Sequence, residues 1–480
     1  MKDLYQQIAE LSPDQRALFE KRLQQKGLSS VKISRISQRK DSDSLPLSFA
    51  QQRLWFIQQL DPDNSAYNVF SALRIQGQLN LAVLEQTFTE IVRRHETLRT
   101  TFTTNASGEP IQVITPPQPV TLPIMDLTEV SNLEEEVHQL IVKEAQQPFD
   151  LTKPLLRLTL VRLDAAEHVL LLTVHHIICD RWSMGIFVRE MKALYEAFVN
   201  SKPSPLPELP IQYADWAIWQ RQWLQGQVLE EQLNYWQKQL QGNLPVLKLP
   251  SDRPRPVVPT YRGSQQSLVL SKPLSDALKD LSKKEGVTLF TLLLTAFNIL
   301  LCKYTHQDDI IVGTDIANRN RVETEGLIGF LINTLVLRTS LSGNPSFREL
   351  LHRVREVMQG AYAHQDLPFE KLVEELNPER TLSQMTPLFQ VKFDLQLAQV
   401  EPPELSGLTV SPLAFDNGTA KFELRFNLSD TEQGIIGLVE YSTDLFNDST
   451  ITRMVQHFQT LLSGIVANPE QRLEELPLLS

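Results

Sequence analysis

Two adjacent histidines, His175 and His176, with Asp180 four residues after the second, make up the chain's most chemically pointed stretch: His175-His176-Ile177-Ile178-Cys179-Asp180-Arg181. An imidazole titrating near pH 6.5 can take or give a proton at neutral pH. Successive side chains on a strand point to opposite faces, so only one of the pair can look into a given cavity, and the other must serve structure. A bland alternative stands beside this. Asp180 can cap a helix starting at Arg181, and both imidazoles can be satisfied in a core. Metal binding is not expected, because zinc wants three or four ligands and no third lies near the histidines. A covalent acyl-enzyme is not expected either. Ser183 lacks a nucleophile-elbow context, and Cys179 sits in an apolar stretch with no partner to stabilise a thiolate.

The elements that position these residues can be read on both sides. The apolar run Val169–Val174 predicts a strand ending at the histidines. Beyond Arg181, Ile186, Phe187, Met191, Leu194, Tyr195 and Phe198 recur at helical spacing and predict a helix over Trp182–Val199. Upstream, Asn80 caps a helix over Leu81–Arg94, and strands are expected at Thr100–Thr103 and Ile111–Ile114. Proline-rich stretches at Lys202–Pro210 and Ser251–Pro259 break regular structure. A second α/β region then holds a helix at Leu274–Glu285, an apolar helix at Thr288–Leu301 and a strand at Asp309–Thr314. No short-period repeat is present, so two lobes, each mixing helices with a sheet, are expected, hinged between about residues 200 and 225. At the N-terminus, Ser12-Pro13-Asp14-Gln15 opens a helix that runs to Lys26 and stops at Gly27. The polar stretch Ser34–Asp41 reads as a linker.

Composition bounds the function classes. A chain of 480 residues with 42% hydrophobic and 21% charged residues is an ordinary soluble globular protein, long enough for two or three domains. Its net charge of -11 disfavours a nucleic-acid binder, which needs a basic face. The two cysteines, Cys179 and Cys302, are far apart, so neither a disulfide framework nor a cysteine-rich zinc site is expected, and a cytoplasmic location fits. No apolar signal segment opens the chain. The apolar helix is shorter than the roughly 20 residues that span a bilayer, so no membrane partner is expected.

Around the histidines the chain carries a series of further motifs. These are Leu47-Ser48-Phe49-Ala50-Gln51-Gln52-Arg53-Leu54-Trp55-Phe56, Arg94-His95-Glu96-Thr97-Leu98-Arg99-Thr100-Thr101-Phe102, Tyr213-Ala214-Asp215-Trp216-Ala217-Ile218-Trp219, Ile328-Gly329-Phe330-Leu331-Ile332-Asn333-Thr334 and His364-Gln365-Asp366-Leu367-Pro368-Phe369-Glu370, with a loose closing match over Arg380–Leu388. With the His-His-x-x-x-Asp core, and in this order, they resemble the condensation domains of nonribosomal peptide synthetases, within the chloramphenicol acetyltransferase-like superfamily. One letter departs from the pattern: Arg181 stands where the family usually has glycine. Many of these residues also have a structural reading, Trp55, Trp216 and Trp219 as core anchors above all.

The resemblance implies a mixed α/β (α+β) fold of two acetyltransferase-like lobes, 42–220 and 221–480, arranged as a V-shaped pseudo-dimer with a tunnel between them. Residues 1–41 would form an N-terminal helix and linker, either a docking segment or a plain connector. The implied activity is amide-bond formation between a donor aminoacyl or peptidyl thioester and an acceptor aminoacyl thioester. Both would ride on the 4'-phosphopantetheine of peptidyl carrier partners, with no cofactor bound by the domain itself. An adenylation domain is expected downstream, and the domain is expected to be monomeric. His176 would act as general base or position the amine, supported by His175. Asp180 would pair with an arginine of the second motif, Arg99 ahead of Arg94, and Asn333 would face the reaction channel. Arg181, Trp182 and Ser183 would line the tunnel. The alternatives are a dehydrating or epimerising variant, a free-standing acyl-coenzyme A acyltransferase, or a non-catalytic platform that docks carriers.

Overall fold

The apolar run before the histidines lies at the heart of a five-stranded sheet, because both of its faces are covered. In the computed structural model, residues 36–40, 45–258, 260–376, 386–396, 404–413, 415–416 and 418–479 are described. The first half of the chain contributes β1 (Asn68–Gln76), the hairpin β2 (Thr100–Thr104) and β3 (Pro110–Ile114), β4 (Ile124–Asp126), β5 (Leu156–Asp164) and β6 (Glu167–His175). β6 pairs antiparallel with β1 on one side and β5 on the other. Leu170, Leu172 and Val174 of β6 pack with Leu84, Phe88, Ile91, Ile186 and Phe187, from the helices Leu81–Arg94 and Arg181–Val199. Val169 and Leu171 face Val137 and Ile141 of the helix Leu133–Gln146. A strand buried on both faces has no reason to alternate polar with apolar residues, and this one does not. The Asn80 side chain caps its helix as expected, accepting the Val83 N–H at 3.2 Å.

The second half builds β7 (Gly263–Val269), β8 (Asp309–Ile316), β9 (Asn333–Ser340), β10 (Val391–Gln396), β11 (Thr409–Pro412), β12 (Leu424–Thr431) and β13 (Gly434–Ser442). Six of these strands form one sheet in the order β7-β13-β12-β10-β8-β9. The apolar helix runs over Leu289–Thr305, capped by the Thr288 side chain, with every residue from Thr291 to Leu301 buried. Each buried leucine or phenylalanine there stabilises by roughly 1.5–3 kcal/mol, so this helix is a core element. Among the described residues no single helix is long and apolar enough to cross a membrane.

The lobes are interlaced. β11, late in the chain, leaves the second lobe and adds to the edge of the first sheet, pairing antiparallel with β1 from Leu73↔Pro412 to Gln76↔Thr409. Ile328, Phe330 and Leu405 also belong to the core of the first lobe. A division at residue 220 therefore follows chain order and not packing. The stretch read as a linker is also docked where it is described. Ile36 is buried with Ile211, Tyr213, Trp216 and Leu327, and Arg39 bonds both Glu96 and Asp215. An isoleucine and an arginine with two carboxylate partners outweigh the polar composition around them. The expected helix Ser12–Lys26 lies outside the described residues, as does most of the loose closing match.

Candidate functional site

β6 ends at His175, and a single 3-10 turn, His176–Ile178, redirects the chain before the helix Arg181–Val199. The two imidazoles have different neighbours, Phe149 for His175 and Phe330 for His176. His175 points inward, edge-on to Phe149, with its Nδ1 accepting the Ile177 N–H at 3.1 Å. Burial lowers its pKa to about 3, so it is a neutral packing residue. The His176 backbone N–H is held by the Tyr67 carbonyl at 2.8 Å. The half-buried His176 ring packs against Phe330, centroids 4.8 Å apart, at the seam between the lobes. Its Nδ1 is buried without a partner, which leaves Nε2 as the nitrogen facing the seam. Burial, then the charge on Lys421, lowers its pKa to about 4 against the opposing pull of Asp180 and Asp315.

Asp180 does not pair with Arg99. Its partner is Arg319, whose Nη2 lies 3.1 and 3.2 Å from the two carboxylate oxygens, with both side chains almost fully buried. Arg319 also donates to Ser183 Oγ and to the carbonyls of Thr324 and Leu327. Asp180 takes the N–H groups of Ser183 and Leu331 as well, so it caps the helix and fastens a segment of the second lobe in the same place. Arg99 is turned away, donating to the Thr115 carbonyl and lying 3.9 Å from Glu96. Arg94, the other candidate, pairs with Glu190, which His95 also contacts. Arg319 stands 139 residues from Asp180 and in none of the quoted motifs. The only local signal is its place shortly before Ile328–Thr334.

This arrangement, two histidines on a strand end locked by a crossover from the second lobe, has clear relatives. The sequence model described as "Condensation domain" matches residues 41–480. The chain belongs to the condensation-domain family. This condensation domain is 50% identical over 459 residues to part of a linear gramicidin synthase from Brevibacillus parabrevis, covering 95% of the chain and 9% of that protein. It is 41% identical over 490 residues to phosphinothricin tripeptide synthetase PhsC of Streptomyces viridochromogenes, covering 100% of the chain and 44% of that protein. The domain thus spans less than half the length of either synthetase. Among solved structures, the X-domain from teicoplanin biosynthesis superposes with a TM-score of 0.85 at 29% identity, covering 93% of this chain and 100% of that one. The first condensation domain of the calcium-dependent antibiotic synthetase, in complex with substrate analogue 3a, gives 0.75 at 23%, covering 92% and 100%, a likeness of fold. The mixed α/β, acetyltransferase-like fold expected from the motifs is the fold found.

Within the condensation domain the quoted motifs converge on the seam. Ser48 Oγ lies 2.8 Å from the Tyr213 hydroxyl, which donates to the Phe330 carbonyl, so three motifs meet behind the residue that packs on His176. Gly329 is required there: a Cβ would stand 2.0 Å from the Tyr213 ring. Three expected site residues have other duties. Asn333 does not face a channel; its amide donates to the Gln365 and Leu367 carbonyls and accepts from the Phe369 and Thr334 N–H groups, tying two motifs together. Ser183 is buried in the Asp180–Arg319 knot, bonded also to Gly329, and lines nothing. Trp182 is half exposed, its indole N–H held by the Glu325 carbonyl. Arg181 is exposed, and its side chain has no hydrogen bond or ion pair among the described residues.

Facing the histidine turn, the second sheet carries a group of charged residues that sequence reasoning missed. Asp315 of β8 pairs with Lys392 of β10 at 2.5 Å, and Arg425 of β12 pairs with Asp394 of β10 at 2.8 Å. Thr334 Oγ1 and the Asp315 N–H complete the carboxylates' bonds. Burial pushes the Asp315 carboxyl up, but Lys392 and Arg425 more than offset it and the pKa is lowered. The signal was present. Val391-Lys392-Phe393-Asp394 and Leu424-Arg425-Phe426 place charges at alternate positions of buried strands, a pattern that marks one polar face inside a core.

Proposed function

We propose that this condensation domain joins two carrier-tethered substrates through an amide bond: the acceptor's amine attacks the donor's thioester carbonyl, and the lengthened product stays on the acceptor carrier. The observation that carries this reading is the His176 imidazole, neutral and held at the lobe seam with Nε2 forward. A thioester is already activated, and an α-amine with a pKa of about 8 is partly neutral at pH 7. Positioning the two ends can therefore supply most of the acceleration. With its pKa lowered by burial, His176 is a weak sink for the ammonium proton, while its neutral ring can still accept a hydrogen bond from the amine. Of the two roles expected for it, orientation is the better supported.

His175 and Asp180 support the turn, and Arg181 stands beside the substrate path. Donor and acceptor peptidyl carriers with 4'-phosphopantetheine arms, a downstream adenylation domain, and work in the cytoplasm as a monomer complete the proposal. The domain should convert two carrier-loaded substrates to product seen by mass spectrometry of the acceptor carrier. His176→Ala should lose at least about 10²-fold in rate with its fold intact, and an unchanged rate would remove His176 from the chemistry. A second reading, a docking platform, draws on the teicoplanin X-domain, which is seen in complex with OxyB. Carrier binding without product would favour it.

A further inference from the structure

Lys421 stands just before β12 and reaches over the seam. Its ammonium lies 4.8 Å from the centre of the Tyr67 ring, and Tyr67 is the residue whose carbonyl holds the His176 N–H. A lysine of the second lobe is thus fixed beside the histidine turn of the first. Around it, Asp315, Lys392, Asp394 and Arg425 are paired with one another. Glu440 of β13 accepts the Lys421 backbone N–H at 3.3 Å. Among the described residues the Lys421 ammonium has no carboxylate within ion-pair distance, only the aromatic face. A half-buried cation that has an aromatic face but no carboxylate partner is costly to keep. It is retained where a negative charge arrives later, as an oxyanion does in acyl transfer.

We propose that Lys421 is a further catalytic residue, whose ammonium donates a hydrogen bond to the donor thioester's carbonyl oxygen while the acceptor amine sits at His176 Nε2. The inference rests on the amide-forming reading. The amine lone pair forms the C–N bond and the carbonyl π pair moves onto oxygen, giving an alkoxide that faces Lys421. Collapse breaks the C–S bond, and the amine's proton ends on the departing thiolate of the donor arm. Atoms and charge balance with no further reactant. Burial, opposed by Glu440 and Asp315 and reinforced by Arg425 and Lys392, lowers the Lys421 pKa to about 8. The charged form therefore prevails at neutral pH and is lost as pH rises through about 8.

The test is single-turnover condensation between loaded carriers with wild type, Lys421→Met, Lys421→Arg and His176→Ala, from pH 6 to 9.5. Circular dichroism and the thermal midpoint check the fold. Lys421→Met should lose about 10²-fold or more in rate, with little change in acceptor KM. Lys421→Arg should recover about a tenth or more of the wild-type rate and carry the alkaline decline to higher pH. A Lys421→Met rate within threefold of wild type, or an alkaline limb unmoved in Lys421→Arg, overturns the proposal. A wild type that forms no amide while His176→Ala behaves identically would instead overturn the reading beneath it.

Discussion

Replacing Arg319 with methionine should cost this condensation domain about 3–4 kcal/mol of stability, while the same change at Arg99 should cost about 1 kcal/mol or less. Breaking a buried ion pair by removing one partner costs about 3–5 kcal/mol, because the remaining charge stays buried. Asp180 would retain the Ser183 and Leu331 N–H groups and the Ser183 hydroxyl, which places the cost in the lower part of that range. The carbonyls of Thr324 and Leu327 would also lose their donor. Arg99, by contrast, has only a long, half-buried pairing with Glu96 at 3.9 Å and one carbonyl contact.

The assay is urea unfolding followed by tryptophan fluorescence and far-ultraviolet circular dichroism, comparing midpoints and slopes for Arg319→Met, Arg99→Met and the double variant Arg319→Met/Asp180→Leu. Apolar residues can replace a whole buried pair at little cost, so the double variant should be more stable than Arg319→Met alone. Below its unfolding range, Arg319→Met should also slow condensation, because the segment it anchors carries Phe330 against the His176 ring. An Arg319→Met cost below 1 kcal/mol, or an Arg99→Met cost equal to it, refutes the assignment.

Three further outcomes are expected. Asn333→Ala should destabilise by about 2–4 kcal/mol, since it orphans buried carbonyls and N–H groups of the 365–369 segment, yet its kcat/KM under folded conditions should stay within about threefold of wild type; a larger kinetic loss would return Asn333 to the reaction path. Stability should fall as pH drops from about 6.5 to about 4, because the unfolded chain takes up protons on His175 and His176 that the folded domain refuses down to about 3 and about 4. Each histidine contributes a slope of up to about 1.4 kcal/mol per pH unit, so His175→Leu should flatten the acid limb of urea midpoints against pH, and an unchanged limb would contradict its neutral burial. Arg181→Gly should leave the unfolding midpoint nearly unchanged and raise kcat/KM for bulky acceptors by about tenfold, read by competition within an acceptor panel; a panel unaltered by the change would place Arg181 off the substrate path.

Local signals carried far and long-range ones did not. The strand before His175, the helix after Asp180, the Asn80 cap and the apolar helix over Leu289–Thr305 follow from periodicity and end chemistry, and their bounds shift by only a few residues. The separation of His176 from His175 was legible, because two neighbours at a strand end cannot share one face. Arg319 was not, because a salt bridge across the lobes depends on tertiary closure, which no spacing in the chain encodes. Asn333 and Ser183 were misread for the same reason: a polar residue in a functional motif can serve the backbone as readily as the substrate, and only its bonds distinguish the two. Lys421 and the paired charges opposite it were half legible, as charged letters at alternate positions of otherwise apolar strands.

The strand exchanged between lobes has a consequence for the order in which the molecule can be made. β1 lacks one of its two neighbours until β11 exists, roughly 240 residues after His176 has been synthesised, a delay of about 12–50 s at 5–20 residues per second. During that interval the first sheet presents an unpaired edge, the kind of edge that invites strands from other chains. Over much of it Asp180 also waits for Arg319. The first lobe is therefore a late-closing unit for all its early position, vulnerable to mispairing while the polypeptide is still growing.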